Sequence, residues 1–405
     1  MSIQPLAEGS VLLHVGPYKT GSTAIQNALF RQQNSLAEHG VAYPGQEYRA
    51  ARPGWAVIDW APISQKIPPI SEWEEFVAQV RGNSERRVCV STEDFGSTGR
   101  PALARRIVND LGGDNVHVVY VCRALHRVLP SHWQERVKSA METRTYDEWL
   151  RSVLLPEARD EAGTAFWRSH DLDRVAPAWL AAVPSERFHV VVTDDSDRAL
   201  LRTTFEQMLG LPNGYLELAA DTGNQSMSMN CVELLRQLNV VAKERQWPVR
   251  EYRDLIRAGV FKELRAMSRS DFDEPIPAIP AWSLGPVAEI AQHRLDVIDR
   301  LGIQVIGDPE CLKLPEDLHA TDQLTQPSEL SIDSALAFAA GMAERDYAAR
   351  ERLRGRIATK QRALKAAARN ATKAVPYRTL LRQVVRRPVR SLQRRVADAR
   401  ERSAS

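Results

Sequence analysis

The sequence predicts an α/β fold in which one parallel β-sheet is covered by helices on both faces, a three-layer α/β/α arrangement. Short, almost wholly apolar runs alternate along the chain with longer segments of helical periodicity. This alternation is typical of strands that are joined by crossover helices. Apolar runs with little polar alternation indicate parallel strands that are buried on both faces. The 405 residues suffice for one large domain with appendages, or for two domains.

The predicted elements follow one another in a regular order. The predicted strands are 11–15, 87–92, 116–122 and 188–193. The predicted helices between them are 22–40, 71–82 and 100–113, where apolar residues recur near a 3.6-residue period or a helix stop signal is present. Residues 44–70 are rich in Pro, Gly and Trp, which predicts an irregular segment. Such a segment forms either a lid or substrate wall over the sheet, or a plain surface loop.

The turn after the first predicted strand carries the clearest chemical signal. In HVGPYKTGST, residues 14–23, Gly16 and Gly21 keep the spacing of the phosphate-binding loop G-x-x-x-x-G-K-[ST]. The backbone N–H groups of such a turn and the dipole of the helix that follows attract an anion. However, Ser22 stands where that loop has its lysine, and Lys19 lies inside the loop instead. This arrangement disfavours ATP or GTP hydrolysis and favours a ligand with one 5′-phosphate that carries a transferable group.

The loop resembles the 5′-phosphosulfate loop of the sulfotransferase superfamily, whose core is K-[ST]-G-[ST]-[ST] and whose donor is 3′-phosphoadenosine 5′-phosphosulfate. A second match follows the strand 116–122, where Arg123 precedes Ser131 by eight positions. The family uses this Arg-x₇-Ser spacing to hold the 3′-phosphate of the donor. A guanidinium fork and a hydroxyl suit a dianionic phosphate.

Two further stretches are similar to segments of a bacterial branch of that superfamily. They are VSTEDF at 90–95 and TGNQSMSMNCVELLRQLN at 222–239. In the second stretch, Asn224 and Ser226 either touch the donor or form an ordinary polar helix cap. The resemblance covers about residues 10–305 and implies a P-loop fold of the nucleoside-triphosphate-hydrolase type.

The resemblance also implies a role for each matched residue. Lys19 would neutralise the charge that develops on the oxygen bridging phosphorus and sulfur as that bond breaks. No metal is required, because the donor brings its own leaving group. The donor-binding residues would be Lys19, Thr20, Gly21, Ser22, Thr23, Arg123 and Ser131.

An acceptor hydroxyl also needs a general base. Glu93 is the first candidate, because it follows the strand 87–92 and should emerge at the same edge of the sheet as the loop. Asp94 is the second candidate. Both residues are also consistent with carboxylates in the first turn of a helix, where the dipole favours them. His14 fits a packed strand histidine better than a base, and His132 lies next to the predicted donor site.

The charge of the chain is distributed unevenly. Residues 351–405 contain 17 Lys and Arg against three Asp and Glu, whereas residues 1–350 contain 37 against 48. This asymmetry predicts that the tail and the body have different roles. We predict an α/β domain at 1–310, a linker at 311–330 and a helical basic tail at 331–405 that is partly disordered.

The tail contains the sequence YRTLLRQVVRR between Pro376 and Pro388, with apolar residues on one face of a helix and arginines beside them. A basic amphipathic helix of this kind can lie on an anionic membrane surface, which would place membrane association at residues 375–400. The alternative is a solvated or disordered basic tail that packs on the acidic body.

Cysteine usage and hydropathy favour a cytoplasmic protein. The four cysteines are scattered without a C-x-x-C pair, which indicates buried thiols rather than a zinc site. No apolar run approaches the roughly 20 residues that span a bilayer, and the first residues do not resemble a secretory signal.

The sequence therefore predicts a sulfotransferase that acts on a hydroxyl or amine of a small-molecule, carbohydrate or lipid acceptor. The first alternative is a P-loop nucleotide kinase or hydrolase, which would need magnesium. The stretch VVVTDD at 190–195 offers a strand followed by aspartates that could bind this ion, so the alternative stays open. The second alternative is a nucleic-acid-binding protein that uses the basic tail. The acidic body argues against general attraction to nucleic acid, so we expect no specific nucleic-acid partner.

Overall fold

A computed structural model describes residues 3–62, 65–139, 142–194, 196–197, 199–218, 227–266, 279–318, 320, 326–327 and 329–374. The chain forms two compact units, Met1–Gly341 and Met342–Ser405. The first unit contains the sheet.

The described part of the first unit contains one six-stranded parallel sheet. Its strands lie in the order β2-β3-β1-β4-β5-β6. They are β1 (Val11–His14), β2 (Val41–Ala42), β3 (Arg87–Ser91), β4 (Val116–Arg123), β5 (Phe188–Thr193) and β6 (Gln304–Ile306). The predicted α/β fold with a parallel sheet is therefore confirmed.

Helices join the strands and pack on both faces of the sheet. Those of the first half of the chain are α1 (Ser22–Arg31), α2 (Gln33–Leu36), α3 (Ala51–Ile58), α4 (Ser71–Arg81), α5 (Pro101–Leu111), α6 (Leu125–Lys138), α7 (Tyr146–Leu154), α8 (Glu161–His170) and α9 (Leu172–Leu180). Those of the second half are α10 (Leu200–Leu209), α11 (Met229–Glu244), α12 (Val249–Leu255), α13 (Phe261–Ala266), α14 (Leu284–Leu301) and α15 (Ile332–Ala374).

Alternate residues of each central strand enter two different apolar cores. Leu13 of β1 belongs to the core that is formed with α4, α5 and α9, whereas its neighbour Leu12 belongs to the core formed with α1 and α10. Because successive side chains of a strand point to opposite faces, a strand between two helical layers must be apolar at nearly every position. The three layers explain the uniform apolar character of the strands.

The structure corrects the sequence analysis at two kinds of element. The irregular segment predicted at 44–70 contains α3, whose Trp55, Val57 and Ile58 are buried in the first of these cores. The strands β2 and β6 were not predicted, because they have two and three residues and too little sequence to show a pattern. Propensity could not reveal α3, since Pro and Gly both occur within its eight residues.

The predicted helical C-terminal region is present as α15. Ala337 and Phe338 near its start are buried, and Ser334 is also buried. The basic stretch at 375–400 lies outside the described residues, so its association with an anionic membrane stays a proposal, and the predicted boundaries at 310 and 331 stay predictions. Among the helices that the structure describes, none is both long and apolar enough to cross a bilayer.

At Gly96, the turn after β3 packs closely against the end of β1 and the loop that follows it. A Cβ atom at Gly96 would lie 2.6 Å from the Val15 carbonyl oxygen, and its backbone φ is not positive. We therefore expect Gly96→Ala to lower the free energy of unfolding by about 1–3 kcal/mol through overpacking alone, as measured by urea denaturation. Gly285→Ala is the matched control, because nothing lies within 4 Å of its Cβ position in α14. Equal stability of the two variants would contradict the close contact.

Candidate functional site

The carboxyl ends of three central strands meet at one edge of the sheet. The Thr92 N–H donates to the His14 carbonyl at 3.1 Å, and the Val121 N–H donates to the Gly16 carbonyl at 2.9 Å. The first bond fixes the end of β3 against β1, and the second fixes β4 against the start of the loop. The loop, Glu93 and Arg123 therefore emerge side by side, as ligand sites do in open α/β sheets.

The backbone of the loop turns through three residues with positive φ. They are Gly16 at 102°, Lys19 at 68° and Gly21 at 96°. A lysine in the left-handed region costs about 1 kcal/mol or more, and such conformations cluster at functional sites. Gly16 could not be replaced without strain, since a Cβ atom there would also lie 2.8 Å from the Glu93 carbonyl oxygen.

The N-terminus of α1 follows the loop directly. Gly21 is its N-cap, and within the described residues no side chain caps the first turn. The first N–H groups of a helix have no partner inside the helix. Thr20 donates its hydroxyl to the Pro17 carbonyl at 3.0 Å, which ties the loop together, while Thr23 is exposed. These open amides and the helix dipole suit an anion.

Lys19 reaches across from the loop to α6. Its Nζ lies 3.5 Å from Oε2 of Glu135, and both side chains are partly exposed. Ser131 lies four residues before Glu135 in α6, so the two side chains share one face of the helix. The structure thus brings Lys19 close to the helix face that carries Ser131, although the two were predicted from separate motifs.

Arg123 ends β4, directly before α6. Its side chain is half-buried, and its carbonyl accepts a 3.4 Å hydrogen bond from Nη1 of Arg294. Ser131 is the seventh residue of α6, which continues through Pro130. The helix places Ser131 two turns further along than Arg123.

Two adjacent carboxylates lie beneath the loop. Ser22 donates to Oε1 of Glu93 at 2.9 Å, and Nη1 of Arg49 donates to Oε2 at 3.2 Å. Asp94 accepts a hydrogen bond from the Tyr18 hydroxyl, and its Oδ2 lies 3.7 Å from Nη1 of Arg49. Glu93 is only 4% exposed and Asp94 only 2%. The Arg49 guanidinium therefore contacts two buried carboxylates.

The pKa values of the two carboxyl groups are shifted in opposite directions. Burial alone would raise the pKa of Glu93, but Arg49, His14 and the hydrogen bond from Ser22 outweigh burial and hold this pKa below its ordinary value. Burial raises the pKa of Asp94 above its ordinary value in spite of Arg49 and Tyr18. Neighbouring carboxyl groups with pKa values on opposite sides of the ordinary value are typical of acid–base sites. The shifts favour the ionised form of Glu93 and disfavour the ionised form of Asp94.

Sequence reasoning missed Arg49 and Tyr18. Arg49 belongs to the segment that was predicted to be irregular, and a backbone hydrogen bond from Ala50 to the Ser91 carbonyl, 3.0 Å long, fixes that segment beside β3. No local pattern could have identified this arginine, because its partners are more than 40 residues away. For Tyr18, the sequence offered one signal of a role in the site, which is its position next to Lys19 in the loop.

The two candidate histidines are packed side chains. His14 is fully buried, its Nδ1 lies 2.7 Å from Oγ of Ser91, and burial lowers its pKa to about 4. His132 packs against Trp149, Phe166 and His170, and burial lowers its pKa to about 3.

Asn224 and Ser226, which were predicted to touch the donor or to cap a helix, lie outside the described residues. Ser228 two positions later is the N-cap of α11, where its hydroxyl accepts from the Cys231 N–H at 3.3 Å. Within the ranges that the structure describes, no three His, Cys, Asp or Glu side chains are grouped to hold a metal ion.

No family model matches the chain, and no curated protein matches it. A sulfotransferase from Alicyclobacillus acidocaldarius is a solved structure that is similar, with a TM-score of 0.38 and 13% sequence identity. The similarity covers 58% of this chain and 94% of that chain. We therefore assign chemistry from the residues of this chain alone.

The low pKa of His14 gives a pH dependence of stability with a defined sign. A buried histidine with a pKa of about 4 binds its proton less readily in the folded chain than in the unfolded chain, where the pKa is near 6.5. Acidification from pH 6.5 to 4 should therefore destabilise the fold, and His14 should contribute about 1.4 kcal/mol per pH unit to that slope. Urea denaturation between pH 8 and 4.5 should show a shallower slope below pH 6.5 for His14→Asn. An unchanged slope would show that His14 is not buried in its neutral form.

Proposed function

We propose that the chain is a sulfotransferase that moves a sulfonate group from 3′-phosphoadenosine 5′-phosphosulfate to a hydroxyl or amine. The acceptor belongs to the small-molecule, carbohydrate or lipid class. The observation that carries this proposal is the position of Lys19. Its backbone is left-handed inside a phosphate-binding type of loop, and its ammonium extends towards α6 rather than back over the first turn of α1.

The residues of the loop fit the 5′-phosphosulfate end of the donor. The absence of a Cβ atom at Gly16 and Gly21 keeps the backbone turn open, and the first amides of α1 supply donors without a capping side chain among the described residues. Thr20 and Ser22 hold the turn together through their hydroxyls, whereas Thr23 is exposed and can donate to the ligand. The donor supplies the sulfonate and its own leaving group, 3′,5′-adenosine bisphosphate.

Arg123 and Ser131 are proposed to hold the 3′-phosphate. Arg123 lies at the end of β4, and Ser131 lies on the face of α6 that also carries Glu135, the residue that Lys19 contacts. A planar guanidinium donates two parallel hydrogen bonds to a phosphate, and each charge-assisted bond contributes about 1.5–3 kcal/mol. This pair would fix the nucleotide while Lys19 acts on the bridging oxygen.

Glu93 is proposed as the general base, with Asp94 as the second candidate. The lowered pKa of Glu93 keeps it ionised, and Ser22 joins it directly to the loop. Asp94 has a raised pKa and accepts from Tyr18. Glu93 is proposed first because its ionised carboxylate contacts Ser22 in the first turn of α1, where the donor is proposed to bind.

One contact favours the alternative of a P-loop kinase or hydrolase. In such enzymes, a loop hydroxyl and a strand carboxylate together hold magnesium. Here the Ser22 hydroxyl donates to Glu93 at the end of the neighbouring strand β3, although Ser22 stands at the lysine position of the loop and Thr23 at the position of the magnesium-binding Ser or Thr. Arg49 opposes this role, since its guanidinium already contacts both Glu93 and Asp94. Asp194, the other carboxylate considered for magnesium, follows β5. Because β4 lies between β5 and β1, Asp194 does not follow a strand next to the loop.

Nucleotide binding separates the two functions. We expect the protein to bind 3′,5′-adenosine bisphosphate in EDTA and to bind ATP at least tenfold more weakly, because position 22 offers no cation to a γ-phosphate. Isothermal titration calorimetry with each nucleotide, with and without magnesium, measures both affinities. Magnesium-dependent ATP binding that is tighter than binding of the bisphosphate would overturn the sulfotransferase proposal.

Substitutions separate binding from chemistry. Acceptors can be found by mass spectrometry as compounds that gain one sulfonate group in a lysate supplied with protein and donor. With such an acceptor, Lys19→Ala should lower kcat by about 10²–10³-fold, because it removes a charge that acts mainly in the transition state. Arg123→Ala should mainly weaken donor affinity, and Glu93→Gln should abolish transfer while nearly preserving donor affinity.

Lys313→Ala is the matched control for these variants, because Lys313 is a surface lysine that pairs with Glu310. It should leave kcat and donor affinity unchanged. If Glu93→Gln retains full turnover, Glu93 is not the base, and Asp94→Asn becomes the next variant to measure.

A further inference from the structure

We propose that Arg253 and Arg257 bind an anionic group on the acceptor, so that the accepting compound is a hydroxyl or amine compound that also carries a carboxylate, phosphate or sulfate. This proposal rests on the sulfotransferase function proposed above. It concerns the segment Val249–Ala266, which is made of α12, a π-helical turn and α13. None of these residues was singled out by the sequence.

A single carboxylate links Lys19 to this segment. Oε2 of Glu135 lies 3.5 Å from Nζ of Lys19, and Oε1 of the same carboxylate lies 3.7 Å from Nη2 of Arg257. Two cations that contact opposite oxygens of one carboxylate must lie close to each other. Arg257 is therefore next to the lysine that we assign to the transferred sulfonate.

The segment is fixed to α6 at two places. The Tyr252 hydroxyl donates to Oδ1 of Asn239 at 2.7 Å, and Nδ2 of Asn239 donates to the Val137 carbonyl at 2.9 Å. In addition, the Lys138 ammonium lies 5.7 Å from the centre of the Phe261 ring. These contacts flank the two arginines, so the arginines are held in place beside the helix that carries Ser131 and Glu135.

The π-helical turn Ile256–Val260 carries Arg257 and is closely packed from behind. A Cβ atom at Gly341 of α15 would lie 2.6 Å from the Cα atom of Val260, so only glycine permits this contact. Ile256 and Val260 are buried, whereas the Arg257 side chain is 58% exposed. Single π-helical turns occur frequently at functional sites, and this one presents a cation to solvent from a rigid base.

Arg253 and Arg257 both lie near one carboxylate, Glu135. The Arg253 side chain forms no hydrogen bond or ion pair among the described residues, and burial together with the neighbouring Arg257 lowers the pKa of Arg253, with Glu135 opposing. Once Lys19 turns to the donor, two guanidinium groups share one carboxylate. The donor does not supply the missing charge, because its phosphates are assigned to the loop, Arg123 and Ser131.

A bound anion would remove this imbalance. A carboxylate, a phosphate ester or a sulfate ester can accept two parallel hydrogen bonds from a guanidinium. A neutral acceptor would leave Arg253 and Arg257 with Glu135 as their shared carboxylate. The acceptor group that reacts must lie near Lys19, so the anionic group must lie on the same molecule within reach of Arg257.

The test uses the full-length protein loaded with 3′,5′-adenosine bisphosphate. Saturation-transfer NMR measures the binding of glucuronate, glucose 6-phosphate and neutral glucose, which separates a carboxylate from a phosphate ester. We expect at least one of the anionic sugars to bind and glucose to bind at least tenfold more weakly. The double variant Arg253→Gln/Arg257→Gln should weaken binding of that anion at least tenfold and should leave bisphosphate affinity unchanged.

Arg250→Gln is the matched control, because Arg250 is an exposed arginine of the same helix α12. It should bind the anionic sugar as the unsubstituted chain does. The proposal is overturned if neither anion binds, if glucose binds equally well, or if the double variant retains anion binding. Loss of bisphosphate binding by the unsubstituted chain would instead overturn the sulfotransferase function, and the sugar titrations are then repeated without nucleotide to decide the anion site separately.

Discussion

The close approach of the loop backbone to the turn after β3 is the constraint on which the candidate site depends. Gly16 has a φ of 102° and has no room for a Cβ atom beside the Glu93 carbonyl, and Gly96 has none beside the Val15 carbonyl. Each approach requires that one of the two residues be a glycine, since a Cβ atom there would collide with the facing carbonyl oxygen. As a result, Ser22 at the start of α1 is within hydrogen-bonding distance of Glu93.

This contact gives the site an unusual distribution of charge. In a nucleotide-triphosphate loop, a lysine at the position of Ser22 would place a cation directly over the first turn of the helix. Here two cations lie on either side of the loop instead. Arg49 pairs with the buried carboxylates on one side, and Lys19 extends to Glu135 on the other. An ionised Glu93 can persist in a buried position because Arg49 and Ser22 compensate for its desolvation. The centre of the loop is thus left for the ligand.

Helix α6 connects the residues proposed to bind the donor to those proposed to bind the acceptor. One of its faces presents Ser131 and Glu135 to the loop, and Glu135 also contacts Arg257 from a different part of the chain. The buried hydrogen bonds of Asn239 and Tyr252 fix α12 relative to α6, so buried contacts rather than surface contacts set the relative position of the two helices. The residues proposed to bind the donor and the acceptor can therefore be held at a fixed separation, which transfer between two bound molecules needs.

The sequence by itself determined the parallel sheet, its four long strands, the helical C-terminal region and the loop between β1 and α1. Each of these features is local, since apolar periodicity and glycine spacing are readable within about 20 residues. Only the tertiary structure decided that Arg49 and Tyr18 accompany the two carboxylates, that Glu135 joins Lys19 to Arg257, and that the segment at 44–70 contains a buried helix. These side chains meet across more than 40 residues of sequence, and their charges and ionisation states depend on burial that no single stretch of sequence specifies.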